Sequence, residues 1–469
     1  MVIIKLAVRT LLRRKRRMIS IGILVFAGTL LLVFGETFAQ SAVWYSKESI
    51  INNFTGDLIV YSEKSKEQPS PFAFTTPLPV IGDIEKVTTW LTDNPQIDLI
   101  VPIAQNYSIL SVERNNKKIE LPLIYYAVDP VLYQKAFDIV RIQEGSYFNI
   151  DQASGTFLQG IVISQAQNER YRQSYDVTLL PGEKATFLGI TPGGSVNAVN
   201  TEILGIFEPA LFKNIFDYIN FVDITSYAQL YNFTGVKTES LPDSYEKAFS
   251  ASGEDDIFAL AEDTGFDSID VDTLESEVIS GYTMIAVKLR NHETIAAIQQ
   301  EIEAAGLGVS TAPWDQASGF FAPIARSLNA VIYTIVALIF LIVSFIFMNT
   351  LIINIIERTH EIGTMRALGS EKSFIRNLFL SETLVLNLFF GGLGIAAAFL
   401  LTVLLGPSGV PLPDIVSQYL IGGGNLPLLL NAKPFIEAIA VVVIVSILAT
   451  LYPIRVATKI SPLQAMLNK

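Results

Sequence analysis

Four blocks of this 469-residue chain contain no charged side chain: residues 18–35, 327–356, 383–413 and 438–454. A helix crossing a bilayer needs about 20 apolar residues, with a range of about 17–25. All four blocks reach that length, the first and last narrowly. Half of the residues are hydrophobic and 17% are charged. Such clustering is foreign to a soluble globule. The expected fold class is an α-helical membrane protein with four transmembrane helices and a large α+β extracytoplasmic domain. The second block has 30 residues. As a helix it would reach about 45 Å against a hydrocarbon core of about 30 Å, so a stalk outside the membrane is expected.

Charge sets the orientation. Residues 1–17 hold seven basic side chains and no acid, residues 357–376 hold four basic residues, and the tail from Arg455 holds three. The positive-inside rule puts these segments and both termini in the cytoplasm. The expected order is a basic cytoplasmic N-terminus (1–17), a first span (18–40), an extracytoplasmic domain (41–325) and a second span with stalk (326–356). A cytoplasmic segment (357–376), a third span (377–405), an extracytoplasmic loop (406–433), a fourth span (434–455) and a cytoplasmic tail (456–469) follow. Basic residues before an apolar run also fit a cleaved signal peptide. The run is longer than a signal core, and "FAQSA" is a poor cleavage site, so a retained span is expected.

Residues 41–325 hold 38 acidic and 17 basic side chains. Such a domain excludes bulk attraction to nucleic acid or anionic lipid. With no cysteine in the chain, neither disulfides nor thiolate metal sites arise. "IGDIEKVTTWLTD" places Ile84, Val87, Trp90 and Leu91 on one helical face, and "NHETIAAIQQEIEAAG" does the same with Ile295, Ile298 and Ile302. Asn291 can cap the start of the second helix and Gly306 its end. Both lie between strand-like runs, at opposite ends of the domain, as in a single domain that the chain leaves and re-enters. Residues 150–235 read as a mostly β insertion. Residues 239–277 hold 13 acids and one base. Calcium at Asp267, Asp270 and Asp272 is disfavoured, because the glycine turn and bidentate Glu of a known loop are missing.

Catalytic chemistry is sparse. The two histidines, His292 and His360, fall on opposite sides of the membrane, and His292 reads as a surface residue in a helix's first turn. No phosphate-binding G-x-x-x-x-G-K-[ST] occurs. No catalytic residue and no metal site is expected. Glu36, Glu382 and Glu437 lie near block ends, where a carboxylate reaches the interface. With no ionisable group at the midplane, ion-coupled transport is not expected, and energy must come from a partner.

Between the second and third blocks lies "ERTHEIGTMRALGSEKSFIRNLFLSE", with eight charges in 26 residues. Ile362, Met365 and Leu368 repeat every three residues among Arg358, Glu361 and Arg366, which reads as a short amphipathic helix. Gly369 is placed to end it in a left-handed cap, and Ser370 to cap the next helix. A membrane-surface helix that only anchors the turn fits the same pattern.

This stretch resembles the loop after the second span in the FtsX/MacB superfamily of ABC transporter permeases, roughly E-R-x-x-E-I-G-x-x-R-A-x-G followed by an acidic residue entering the third span. Glu357, Arg358, Glu361, Ile362, Gly363, Arg366, Ala367, Gly369 and Glu382 match. The tail "YPIRVATKISPLQAMLNK" resembles the family's ending through Pro453, Ala457, Pro462 and Ala465. The plan of one span, a large outer domain and three spans is similar to separate-permease members such as LolC and LolE, and residues 41–325 resemble the MacB periplasmic core.

The resemblance implies a permease subunit without its own ATPase activity in a bacterial inner membrane. It implies a cytoplasmic ABC ATPase dimer that uses ATP and Mg, a second permease copy or paralogue, membrane lipid, and a periplasmic adaptor or carrier. It binds no cofactor itself. Residues 357–376 become a coupling helix: the charges of Glu357, Arg358, Glu361 and Arg366 set orientation, Ile362, Met365 and Leu368 fill an ATPase cleft, and Gly363, Ala367 and Gly369 complete the coupling set. Motion would pass along the second and first spans to the outer domain. Export, or extraction of lipoprotein or lipid-like cargo, is implied. The alternative is an FtsX-like relay acting on an outer partner such as a cell-wall hydrolase.

Overall fold

The computed structural model describes residues 15–66, 68–69, 78–114, 116–151, 155–191, 193–236, 276–319 and 321–459. The calcium candidates Asp267, Asp270 and Asp272 lie outside these residues, as do Pro462 and Ala465 of the tail. The chain divides into a sheet unit, Lys47–Ala322 with Ile421–Gly423, and a helical unit, Met1–Ser46, Pro323–Leu420 and Gly424–Lys469.

In the sheet unit, the two strand–helix–strand segments meet in one sheet. Strand β1 (Leu58–Ser62), helix Ile84–Asp93 and the start of β2 (Ile97–Arg114) form one segment; β11 (Met284–Leu289), helix Ile295–Ala304 and β12 (Val309–Pro313) form the other. The strand order is β12-β1-β11-β2, antiparallel throughout. That is the order of a ferredoxin-like split β-α-β fold. Val87 and Leu91 of the first helix and Ile298 and Ile302 of the second bury against Leu58, Val60, Ile285 and Val287. Asp83 accepts from the Lys86 N–H at the first helix start, and Asn291 accepts from the Glu293 N–H ahead of the second.

The inserted segment forms a closed ring. Strand β2 runs for 18 residues. Its first half pairs with β11, and Ile109–Ser111 in its second half pair with β6 (Lys184–Ile190). From β2 the pairings pass through β3 (Lys117–Val128), β8 (Asn220–Asp223), β5 (Ile161–Ser164) and β7 (Val196–Pro209), then return through β6 to β2. Closure removes edges that would otherwise template pairing with other chains. Leu110, Val112, Leu121, Leu123, Tyr125, Phe187 and Ile203 fill the interior. Tyr125 meets Phe187 edge-on at 5.2 Å between centroids.

The insertion is less purely β than its sequence suggests. Helix Gln165–Tyr175 buries Tyr171, and helix Ile224–Tyr231 buries Tyr227 and Leu230 against the same core. The first escapes periodicity analysis because its sequence, QAQNERYRQSY, is polar and buries only Asn168 and Tyr171. Asn168 is held by the backbone of Leu179, donating to its C=O and accepting from its N–H.

The helical unit contains α1 (Lys15–Ile50), α2 (Phe321–Glu357), α3 (Thr359–Ala367), α4 (Lys372–Leu405) and α5 (Ala432–Lys459). Four of these, all but α3, are long and apolar enough to cross a membrane. Small and polar residues set their packing. Gly394 of α4 lies so close to α1 that a Cβ there would stand 2.7 Å from the Phe26 carbonyl and 3.0 Å from the Thr29 Cβ. Asn387 of α4 donates to Ser446 of α5 at 2.7 Å. Close backbone approach and interhelical hydrogen bonds hold helices together where lipid is as apolar as leucine. Glu36 and Glu382 are each only 3% exposed. Tyr333 donates to Glu36, and Arg358 to Glu382, so protein partners take the place of water.

Candidate functional site

The α2–α3–α4 junction is built from local chain chemistry. Helix α2 ends at Glu357, and Arg358, at φ −102° and ψ 11°, turns the chain into α3. Gly369 has φ +94°, the left-handed conformation that ends a helix without Cβ strain. The Gly369 N–H bonds to the Arg366 carbonyl and the Ser370 N–H to the Met365 carbonyl. This is the Schellman arrangement, which satisfies carbonyls left open by the helix end. Ser370 does not cap the next helix. Its N–H serves the preceding one, and Glu371 occupies the N-cap position of α4.

Arg358 sits at the centre of the junction. Its Nε donates to Glu361 Oε2 at 3.0 Å, and its Nη1 to both carboxylate oxygens of Glu382 at 3.0 and 3.1 Å. The guanidinium also lies 5.4 Å from the centre of the Phe379 ring. Burial works against its charge, but the carboxylates of Glu382 and Glu361 more than offset that, and the pKa lies above the ordinary arginine value. Removing one partner of such a buried pair costs far more than replacing both.

The supposed apolar face divides in two. Ile362 is fully buried in a socket with Ile355 of α2, Ile375 and Phe379 of α4, and Ile454 of α5; Met365 packs at its edge. Leu368 is 84% exposed. A three-residue spacing falls about 60° short of a full turn at each step, so Leu368 lies about 120° around from Ile362. The expectation that Ile362, Met365 and Leu368 together fill a partner's cleft is corrected accordingly. Ile362, Gly363 and Arg358 face inward. Glu357, Glu361, Ala367, Leu368 and Gly369 are exposed, and Met365 and Arg366 are half-buried. In the tail, Pro453 is buried inside α5 and Ala457 lies on the same helix.

Elsewhere, His292 is tied into the fold. Its Nδ1 lies 2.5 Å from Oδ1 of the fully buried Asp57, whose Oδ2 accepts from the Leu289 N–H. The reading of His292 as a plain surface residue misses a partner 235 positions away. Among the described residues, no three His, Cys, Asp or Glu side chains gather as a metal site.

With this geometry in place, the comparisons are informative. Residues 333–462 match the family model of the FtsX-like permease C-terminal domain. The matched stretch is similar to that domain of FtsX-like permeases. It includes the Arg358 junction, the Ile362 socket and all of α4. The macrolide export ATP-binding/permease protein MacB of Shewanella oneidensis is 28% identical over 119 residues, 25% of this chain and 16% of that protein. The ABC transporter permease YvrN of Bacillus subtilis is 35% identical over 123 residues, 25% of each chain. The matches thus span only a quarter or less of these relatives' lengths. The solved extracellular domain of the noncanonic ABC-type transporter YknZ from Gram-positive bacteria aligns at 10% identity over 54% of this chain and 98% of its own. Its TM-score is 0.28, at which the likeness carries no argument.

Proposed function

We propose that this FtsX/MacB-type chain is the permease subunit of an ABC complex and that α3 receives motion from a separate cytoplasmic ATPase dimer. The observation that carries this reading is the construction of α3. It buries Ile362 and Arg358 in its own membrane unit and leaves Leu368 and Glu361 exposed, so it is firmly seated yet presents a surface to a partner. ATP and Mg would be used by the partner. Two permease copies, or this chain with a paralogue, would form the membrane part. Both termini would face the cytoplasm of a cell with an inner membrane. Displacement of α3 would reach the sheet unit and drive export or extraction of a lipoprotein or lipid-like cargo, with an adaptor or carrier outside.

The test is purification of the complex from native membrane. An ABC ATPase should co-purify, and its activity should be stimulated by the permease. Leu368→Glu, at a solvent-exposed position, should weaken ATPase retention by about tenfold or more, as charge placed in an apolar contact does. Gly363→Pro should abolish stimulation by breaking α3. A preparation with no ATPase, or Leu368→Glu binding as tightly as the native chain, would overturn the proposal.

A further inference from the structure

The same reading leaves open how α3 is joined to the spans, and this inference rests on it. We infer that Arg358 is a positioning residue, and that its forked hold on Glu361 and Glu382, together with the Ile362 socket, delivers displacement of α3 into the third and fourth spans. The family resemblance sends that motion along the second and first spans, α2 and α1. Three observations argue for the different route. Arg358 Nη1 donates to both oxygens of Glu382, about three turns into α4, while its Nε holds Glu361 on α3. Because Nε and Nη1 sit on one rigid plane, the guanidinium fixes Glu361 of α3 and Glu382 of α4 relative to each other. Ile362 enters a socket whose walls include Ile375, Phe379 and Ile454, from α4 and α5. Finally, the kink between α2 and α3 consists of one residue, Arg358 itself, so the group that bends the chain is also the group that fastens it to α4.

Two experiments test the joint. In the complex with its co-purified ATPase, Glu382→Gln and Arg358→Lys should leave the ATPase bound while stimulation falls about tenfold, within the usual span of coupling between sites. Lysine keeps the charge but loses the fork. The reversed pair, Arg358→Glu with Glu382→Arg, should regain most of the stimulation. Replacement of both by apolar residues, Arg358→Met with Glu382→Leu, leaves no lone buried charge and should fold without coupling. Full stimulation in Glu382→Gln would overturn the inference while leaving the proposed function standing. Absence of any ATPase from the native preparation would overturn the function instead.

The second experiment needs no partner. The chain has no cysteine. Spin labels at Leu368→Cys and Leu388→Cys, both exposed positions, in chains diluted with unlabelled copies therefore report the α3–α4 distance within one chain. Glu382→Gln should broaden that distance distribution, and the reversed pair should sharpen it again. An unchanged distribution would sink the joint whatever the ATPase result.

Discussion

The two units of the chain are held together by opposite kinds of residue. The ring of the sheet unit is filled with large rings and branched chains, with Tyr125, Phe187 and Tyr171 all at most 1% exposed. The helical unit places Gly394, Thr29, Ser446 and Asn387 at its closest contacts. It leaves Leu400 and Leu404 on the outside, 57% and 62% exposed. In water, removing apolar area is the driving force, and large side chains contribute most. In lipid that force is absent between helices, and close approach with satisfied polar groups replaces it. Leu110 and Leu123 are thus core residues of the ring, whereas Leu400 and Leu404 face outward from the helices.

The strongest way to break this contrast is Phe187→Ala. It removes a buried ring from the sheet-unit core and should cost about 3–5 kcal/mol, read as a lower urea midpoint by tryptophan fluorescence of the full chain in detergent. A loss under 1 kcal/mol would mean the ring core is not close-packed. Next comes Asp223, which accepts from the Ser226 N–H at a helix start and from the Gly160 N–H. Asp223→Ala should cost about 2 kcal/mol through loss of the cap and exposure of a buried N–H. Burial raises the Asp223 pKa, opposed by hydrogen bonds from Ser226, Gly160 and Thr225. A raised carboxyl contributes stability below its unfolded value of about 3.9, and that contribution is lost as pH rises through its folded pKa. The gap between native and variant should therefore be widest in acid and shrink as pH rises; a gap that widens would reverse the assignment. The smallest effect sharpens the comparison from the other side. Leu404→Ala should change the stability of the helical unit in lipid by no more than about 0.5 kcal/mol, since surface substitutions do little and lipid already surrounds the side chain. A loss as large as that at a water-shielded core leucine would show the site is packed against protein.

Where local chemistry decides structure, the sequence was legible. Ile84, Val87 and Leu91 named the buried face of one helix, Ile298 and Ile302 that of another, and Gly369 named the end of α3. What escaped depended on distant partners. Nothing in "ERTHEIG" announces that Arg358 turns inward to Glu382, 24 positions away. The three-residue repeat of Ile362, Met365 and Leu368 looked like one face because each step drifts only a little. The joining of β2 to β6, which closes the ring, has no local signature at all, and the polar helix Gln165–Tyr175 shows too little apolar periodicity to announce itself.

The way the sheet unit is tied off has a mechanical consequence. Strand β1 begins and β12 ends at the same place, with Leu58 opposite Pro313, and Asp57 accepts through its carbonyl from the Trp314 N–H beside them. The chain segments before β1 and after β12 thus leave from one end of one strand pair. Drawn apart, they would unzip that pair a rung at a time, a soft mode. Pulled the same way, they leave the rungs between them unstrained, so the attachment is weak against spreading and stiff against a common tug.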